Sequence, residues 1–232
     1  PLSSLNPLMK IGDQIAEAIT IHDKQSKQVS QRVQKLISDV GIVDVQRVSQ
    51  QYPHELSGGM RQRVMIAIAL ANEPDLIIAD EPTTALDATI QAQILDLIKE
   101  IQVKKNAGIL LITHDLGVVA EMADTVAVMY AGQIVEQARV DDLFNQPKHP
   151  YTRSLLRADP SEVNSGDELY AIPGTVPALK DMDHSKDLFL KRVPWLDIAE
   201  VEAQIDEKLQ KISDQHYVRG DAWKNFEFVE DR

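Results

Sequence analysis

The run Leu76-Ile77-Ile78-Ala79-Asp80-Glu81-Pro82 decides the fold. An apolar burst too short for a helix ends on two adjacent carboxylates and a proline, the pattern of a strand that delivers acidic groups at its C-terminal end. Two more bursts follow, Ile109-Leu110-Leu111-Ile112-Thr113 and Thr125-Val126-Ala127-Val128-Met129-Tyr130, separated by helical stretches at 87–103 and 116–122. Strand alternating with helix predicts an α/β fold with a mainly parallel sheet. Gly132-Gln133-Ile134-Val135-Glu136 reads as one further strand after a tight turn at Ala131-Gly132, and helical pieces at 140–145 and 149–157 come next.

Upstream of the decisive run, Ile11, Ile15 and Ile19, and then Val29, Val33, Leu36, Ile37 and Val40, recur at helical spacing. This predicts short helices at 10–22 and 26–40, the second stopped by Gly41. A mixed stretch at 43–54 leads to Glu55-Leu56-Ser57-Gly58-Gly59-Met60, after which 61–71 reads as a buried helix ending near Pro74. From about Asp159 the composition turns acidic: that segment carries a surplus of eight negative charges, two thirds of the chain's net −12. It reads as a separate tail, with Ile198, Val201, Ile205, Leu209 and Ile212 predicting one amphipathic helix at about 196–212.

The bulk numbers set limits. A chain of 232 residues with 44% hydrophobic residues holds one large domain, or one with an appendage. A net charge of −12 disfavours a nucleic-acid partner, because phosphate binding needs a concentrated excess of Lys and Arg. The absence of cysteine excludes disulfides and thiolate metal sites, and no apolar run reaches the roughly 18–20 residues that span a bilayer.

Two groups of residues carry chemistry. Ligands of open parallel sheets sit at the C-terminal strand edge, where Asp80 suits Mg²⁺, a hard cation that prefers oxygen, and Glu81 suits the orientation and deprotonation of a water. Taken alone, the pair also reads as two solvated acids at a strand end. Ser57, Gly58 and Gly59 precede a helix, where unpaired N–H groups and the helix dipole attract an anion; an ordinary N-cap serine and flexible turn fit the same residues.

The order Leu56-Ser57-Gly58-Gly59, strand with Asp80-Glu81, Ala85-Leu86-Asp87, strand ending in Thr113-His114-Asp115 resembles the ATP-binding-cassette family at each element in turn, over about residues 1–145. The resemblance implies the family's nucleotide-binding fold: a helical subdomain (1–55), a signature helix with the mainly parallel sheet core (56–145) and an acidic C-terminal extension (146–232). It implies ATP and Mg²⁺ as cofactors. By position, Ser57, Gly58 and Gly59 resemble the signature loop that meets the γ-phosphate held by the opposite subunit, Asp80 the Mg²⁺-side carboxylate and Glu81 the general base. Asp87 matches the loop that crosses the dimer interface, and His114 the switch histidine.

One family piece has no counterpart. No Gly-x-x-x-x-Gly-Lys-[Ser/Thr] phosphate loop occurs, and no Gly is followed by Lys. The expectation is therefore a cut-off C-terminal part that is inactive alone, with Pro1–Pro7 resembling the segment after the family's glutamine loop.

Asn145-Gln146-Pro147-Lys148-His149-Pro150-Tyr151-Thr152 with Leu155-Leu156, and Ile172-Pro173-Gly174-Thr175-Val176-Pro177-Ala178-Leu179, resemble the C-terminal extension of dipeptide and oligopeptide importer ATPases, and Ser3-Ser4-Leu5-Asn6-Pro7 agrees. His149-Pro150-Tyr151 reads equally as a rigid helix-start turn. The cysteine cluster of many such relatives is absent. The resemblance implies a second ATPase subunit, identical or paralogous, a transmembrane permease pair, a separate peptide-binding protein and a place on the cytoplasmic membrane face. Import of nickel or another small solute, and a non-catalytic chain that donates only the signature half-site, stay open; a DNA-repair or translation cassette lacks support.

Overall fold

The computed structural model describes residues 4–21, 28–159, 170–193 and 208–225. The chain divides into two compact units, 1–114 and 115–232. In the first, helices α1 (Ile11–Thr20), α2 (Val29–Asp39) and α3 (Val45–Gln50) precede α4 (Gly58–Ala69), and then β1 (Leu76–Asp80), α5 (Ala88–Lys105) and β2 (Gly108–Ile112) follow.

The helical core forms from the residues whose spacing predicted it. Ile11, Ile15 and Ile19 bury fully against Val33, Ile37 and Val40, each such side chain contributing about 1.5–3 kcal/mol on burial. Gly41 ends α2 in a Schellman motif: its N–H donates to the Ser38 carbonyl and that of Ile42 to the Ile37 carbonyl. Its φ of +76° favours glycine there, and a Cβ would also displace the end of the Arg63 guanidinium, 2.8 Å away.

Each element that leads toward the predicted site starts on a side-chain cap. The Ser57 Oγ accepts from the Met60 N–H at 3.3 Å and the Asp87 carboxylate from the Ile90 N–H at 3.0 Å, caps worth about 1 kcal/mol each. α4 therefore begins at Gly58, three residues earlier than predicted, because the cap recruits the first turn. α5, with Ile94, Leu95, Leu97, Ile98 and Ile101 buried, returns the chain so that β2 lies parallel to β1, Leu76 opposite Gly108 and Asp80 opposite Ile112. Leu76, Ile78, Leu110 and Ile112 share the exposed face of that pair.

The second unit contains α6 (Leu116–Met122), β3 (Thr125–Tyr130), β4 (Gln133–Arg139), α7 (Val140–Asn145), α8 (Pro150–Arg157), β5 (Leu209–Ser213) and β6 (His216–Arg219). Parallel pairing is confined to β1 and β2 among the described strands; here the sheet is antiparallel in the order β3-β4-β6-β5. The cause is the turn: Ala131 and Gly132 both take positive φ, +47° and +80°, the geometry that folds a strand straight back on its predecessor.

The acidic tail is not separate from its unit. Phe189 and Val193 join Val128, Tyr130, Val135 and Leu143 in one core, and β6 pairs with β4. The predicted helix at 196–212 falls largely outside the described residues. Where it is described the structure differs, because Leu209 and Ile212 lie in β5, folded by a turn at Asp214-Gln215 against β6.

The helix-start reading of His149-Pro150-Tyr151 matches α8. The ring Nδ1 accepts from the Tyr151 N–H at 3.0 Å, so the hydrogen sits on Nε2, which donates to buried Asp187 at 2.8 Å. The Lys148 and His149 N–H groups both donate to the buried Glu136 carboxylate at 2.8 Å, and the His216 ring bonds it at 2.8 Å.

Candidate functional site

The strand β1 ends at Asp80, and the next residue breaks from it. Glu81 has φ +47°, the left-handed region that a side chain with a Cβ adopts at a cost of order 1–3 kcal/mol. Its N–H still completes the strand pairing, donating to the Ile112 carbonyl at 2.9 Å, while its carbonyl accepts from the Thr84 N–H at 3.2 Å. The kink brings the carboxylate to the residues that follow β2.

There the Glu81 Oε1 accepts from the His114 ring Nδ1 at 2.7 Å and from the His114 backbone N–H at 3.2 Å, and Oε2 accepts from the Thr84 hydroxyl at 3.0 Å. A carboxylate only accepts, so Nδ1 carries the hydrogen. The hydrogen bond from His114 holds the Glu81 carboxyl below its usual value; partial burial opposes this and the Thr84 hydroxyl reinforces it. Glu81 is half-buried and the His114 side chain 85% exposed, so the imidazole stands where a ligand can meet it.

Asp80 is exposed at the strand end. Among the described residues no three His, Cys, Asp or Glu side chains form a metal cage. A single accessible carboxylate nonetheless suits Mg²⁺, which keeps several waters and takes other ligands from phosphate.

Ser57, Gly58 and Gly59 lie against the start of α5. A Cβ on Gly58 would stand 3.4 Å from the Leu86 Cδ2, and one on Gly59 only 2.7 Å from the Ile90 Cγ2. The signature-like turn and the Asp87 cap are thus packed together, with the contact on Ile90 favouring glycine at 59. Because Ser57 uses an oxygen lone pair in its cap, its hydroxyl hydrogen can point to a ligand.

The structure thus joins Glu81 to His114, and the Ser57 turn to the Asp87 loop. Sequence reasoning missed Thr84 and Ile90. Thr84 lies three residues after Glu81 in a turn, a spacing at which Thr hydroxyls bond back to a neighbour; Ile90 had no signal apart from its place on the helix.

Comparison with known proteins identifies the family of the chain. The family model for ABC transporters matches residues 3–84, and the model for the oligopeptide/dipeptide transporter C-terminal region matches residues 135–192. The chain is 64% identical over 233 residues to the oligopeptide transport ATP-binding protein OppD of Lactococcus lactis subsp. cremoris (strain SK11), covering 100% of this chain and 69% of that protein. It is 52% identical over 221 residues to OppD of Bacillus subtilis (strain 168), covering 94% of this chain and 61% of the relative. With the dipeptide transport ATP-binding protein DppD of the same strain it shares 55% over 180 residues, 77% of this chain and 54% of the relative. Among solved structures, the dimeric post-hydrolysis state of the ATP-binding cassette MJ0796 bound to ADP and Pi superposes with a TM-score of 0.52 at 26% identity, over 59% of each chain.

Proposed function

The chain belongs to the ABC transporter ATPase family, and on that premise we propose that it is the ATP-binding and ATP-hydrolysing subunit of an oligopeptide or dipeptide importer, working on the cytoplasmic face of a membrane. The observation that carries the chemistry is the Glu81 carboxylate, turned out of its strand and hydrogen-bonded by His114 at 2.7 Å. The names of the relatives, transport ATP-binding proteins for oligopeptides and dipeptides, and the match over 135–192 support the peptide substrate.

In this reading Glu81 accepts the proton of the attacking water. Its carboxyl, held below the usual carboxylate value by the His114 hydrogen bond, is ionised at neutral pH and so able to accept. His114 donates to Glu81 at rest and swings to the γ-phosphate when nucleotide is in place. Asp80 would hold Mg²⁺, which when bound neutralises charge on the phosphates. Ser57, Gly58 and Gly59 present the hydroxyl and the first N–H groups of α4 to a triphosphate bound by a second ATPase subunit, identical or paralogous. Asp87 belongs to the loop that crosses between the two.

Residues 1–55 are the surface for a transmembrane permease pair, and 146–232 the extension shared with peptide importers. No helix among the described residues is long and apolar enough to cross a membrane. In this reading translocation falls to the permease pair and delivery to a separate peptide-binding protein.

The test is Glu81→Gln in the assembled transporter. ATP turnover should fall about 10²–10⁴-fold while ATP binding survives, because the amide keeps the shape without the basicity, and uptake of labelled peptide should stop. Near-normal turnover would move the base elsewhere. Uptake of nickel in place of peptide by the unmodified transporter would overturn the substrate.

A further inference from the structure

A carboxylate that must take a proton from water needs a fixed plane as well as a suitable basicity, because a misaimed oxygen loses much of the advantage of proximity. Glu81 reaches its position on a side chain with three rotatable bonds. Two donors from His114 meet Oε1, and one from Thr84 meets Oε2. These partners differ in kind. His114 is highly exposed, on the chain that leaves β2, whereas Thr84 belongs to the turn that Glu81 itself begins.

That turn is tightly specified. The Thr84 N–H donates to the Glu81 carbonyl at 3.2 Å and the Leu86 N–H to the Thr83 carbonyl at 3.2 Å. Pro82 and Thr83 are buried, and both Glu81 and Ala85, at φ +63°, take left-handed backbone. The turn fixes the Thr84 backbone beside Glu81, so its exposed hydroxyl stays within one side-chain rotation of Oε2, whereas the His114 ring is carried by the chain that leaves β2.

We propose that Thr84 is a positioning residue: its hydroxyl holds the Glu81 Oε2 while the His114 backbone N–H keeps its bond to Oε1, so that when the His114 ring turns away the Oε1 lone pair it vacates accepts the proton of the attacking water. The inference rests on the reading of Glu81 as the general base. It gives Oε2 a holding role alone and leaves on Oε1 one holding bond, from the His114 N–H, beside the site of proton transfer. It also makes the hydroxyl, and not the γ-methyl, the functional part of Thr84.

The experiment measures steady-state ATP hydrolysis by the assembled transporter in four variants. Thr84→Val, which keeps the shape and removes the donor, should lower kcat about tenfold, the equivalent of one hydrogen bond, with KM for ATP within about twofold of wild type. Thr84→Ser, which keeps the hydroxyl, should restore kcat to within about twofold of wild type. Adding Thr84→Val to Glu81→Gln should change the residual rate by less than about twofold, because the two act through one group.

Wild-type kcat in Thr84→Val overturns the proposal, as does equal loss in Thr84→Ser or a full tenfold loss on top of Glu81→Gln. If Glu81→Gln alone turns over normally, the general-base reading has failed. If Glu81→Gln is inactive and Thr84→Val is normal, only the positioning role has failed.

Discussion

A single methyl group added at Gly59 separates two reasons for glycine in the signature-like turn. The Cβ of Gly59→Ala would stand 2.7 Å from the Ile90 Cγ2, whereas ordinary contact begins near 3.4 Å, so α4 and α5 must part by roughly 0.7 Å or Ile90 must change rotamer. Overpacking of this kind costs about 1–3 kcal/mol. Alanine in a helix gains about 0.5–1 kcal/mol over glycine, somewhat less in the first turn. The net effect then lies between about zero and a loss of about 2.5 kcal/mol, which lowers Tm by up to about 10 °C for a chain of this size.

Gly58→Ala supplies the control, since its Cβ meets only the flexible end of Leu86 at 3.4 Å; it should leave Tm nearly unchanged. Thermal unfolding of Gly59→Ala, Ile90→Ala and the double variant gives the coupling directly. Ile90→Ala removes the obstructing Cγ2, so Gly59→Ala made in that background should be neutral or stabilising, a coupling of about 1–3 kcal/mol. Equal cost in both backgrounds, or an equal cost for Gly58→Ala, would refute the packing argument. If the double variant recovers Tm without recovering nucleotide trapping, access to phosphate is a second requirement at the same residue.

Three further outcomes follow from other contacts. His114→Ala removes the strongest cause of the depressed Glu81 pKa, so the carboxylate, which now stays charged below its usual 4.5 and is neutralised only as pH falls through that lowered value, should protonate at higher pH; NMR titration of the Glu81 carboxyl carbon reads the upward shift, and an unchanged midpoint would dismiss the 2.7 Å contact. In a transporter with two distinguishable ATPase subunits, Ser57→Ala in this chain should weaken nucleotide trapping at the site whose phosphate loop belongs to the partner, and loss confined to its own site would reverse the assignment. Glu136→Leu leaves the Lys148 and His149 N–H groups and the His216 ring without their acceptor in a largely buried place; at about 1–3 kcal/mol for each of the three lost partners, a drop in Tm of about 6 °C or more is expected, and an unchanged Tm would show that water replaces the carboxylate.

What the sequence made legible was local. Gly41, Ser57 and the Ala131-Gly132 pair act through their own backbone and nearest neighbours, so the helix stop, the helix start and the hairpin turn could be read from them directly. Apolar bursts located β1 to β4, but a burst carries no direction, and the antiparallel pairing of β3 with β4 had to come from the turn between them. The β5–β6 hairpin was hidden because Leu209 and Ile212 continue a spacing that also suits a helix; what selects the strand is pairing with β4, Glu136 opposite Val218, across eighty residues of chain. At the site, the acids and His114 stood out by residue type. Thr84 and Ile90 did not, since a hydroxyl bonded back along a turn and a methyl pressed on a glycine leave no periodic trace.

The strand β4 lies between β3 and β6, and this governs how the protein can be handled. A variant shortened before Lys208 would strip one side of β4, leaving its N–H and C=O groups open to any strand that drifts past, while Glu136 keeps its buried charge without the His216 ring. Such an edge recruits other copies and favours precipitation over a soluble product. An affinity tag or reporter attached beyond Asn225 leaves the hairpin in place, whereas the same tag substituted for residues 208–219 should drive the material into inclusion bodies.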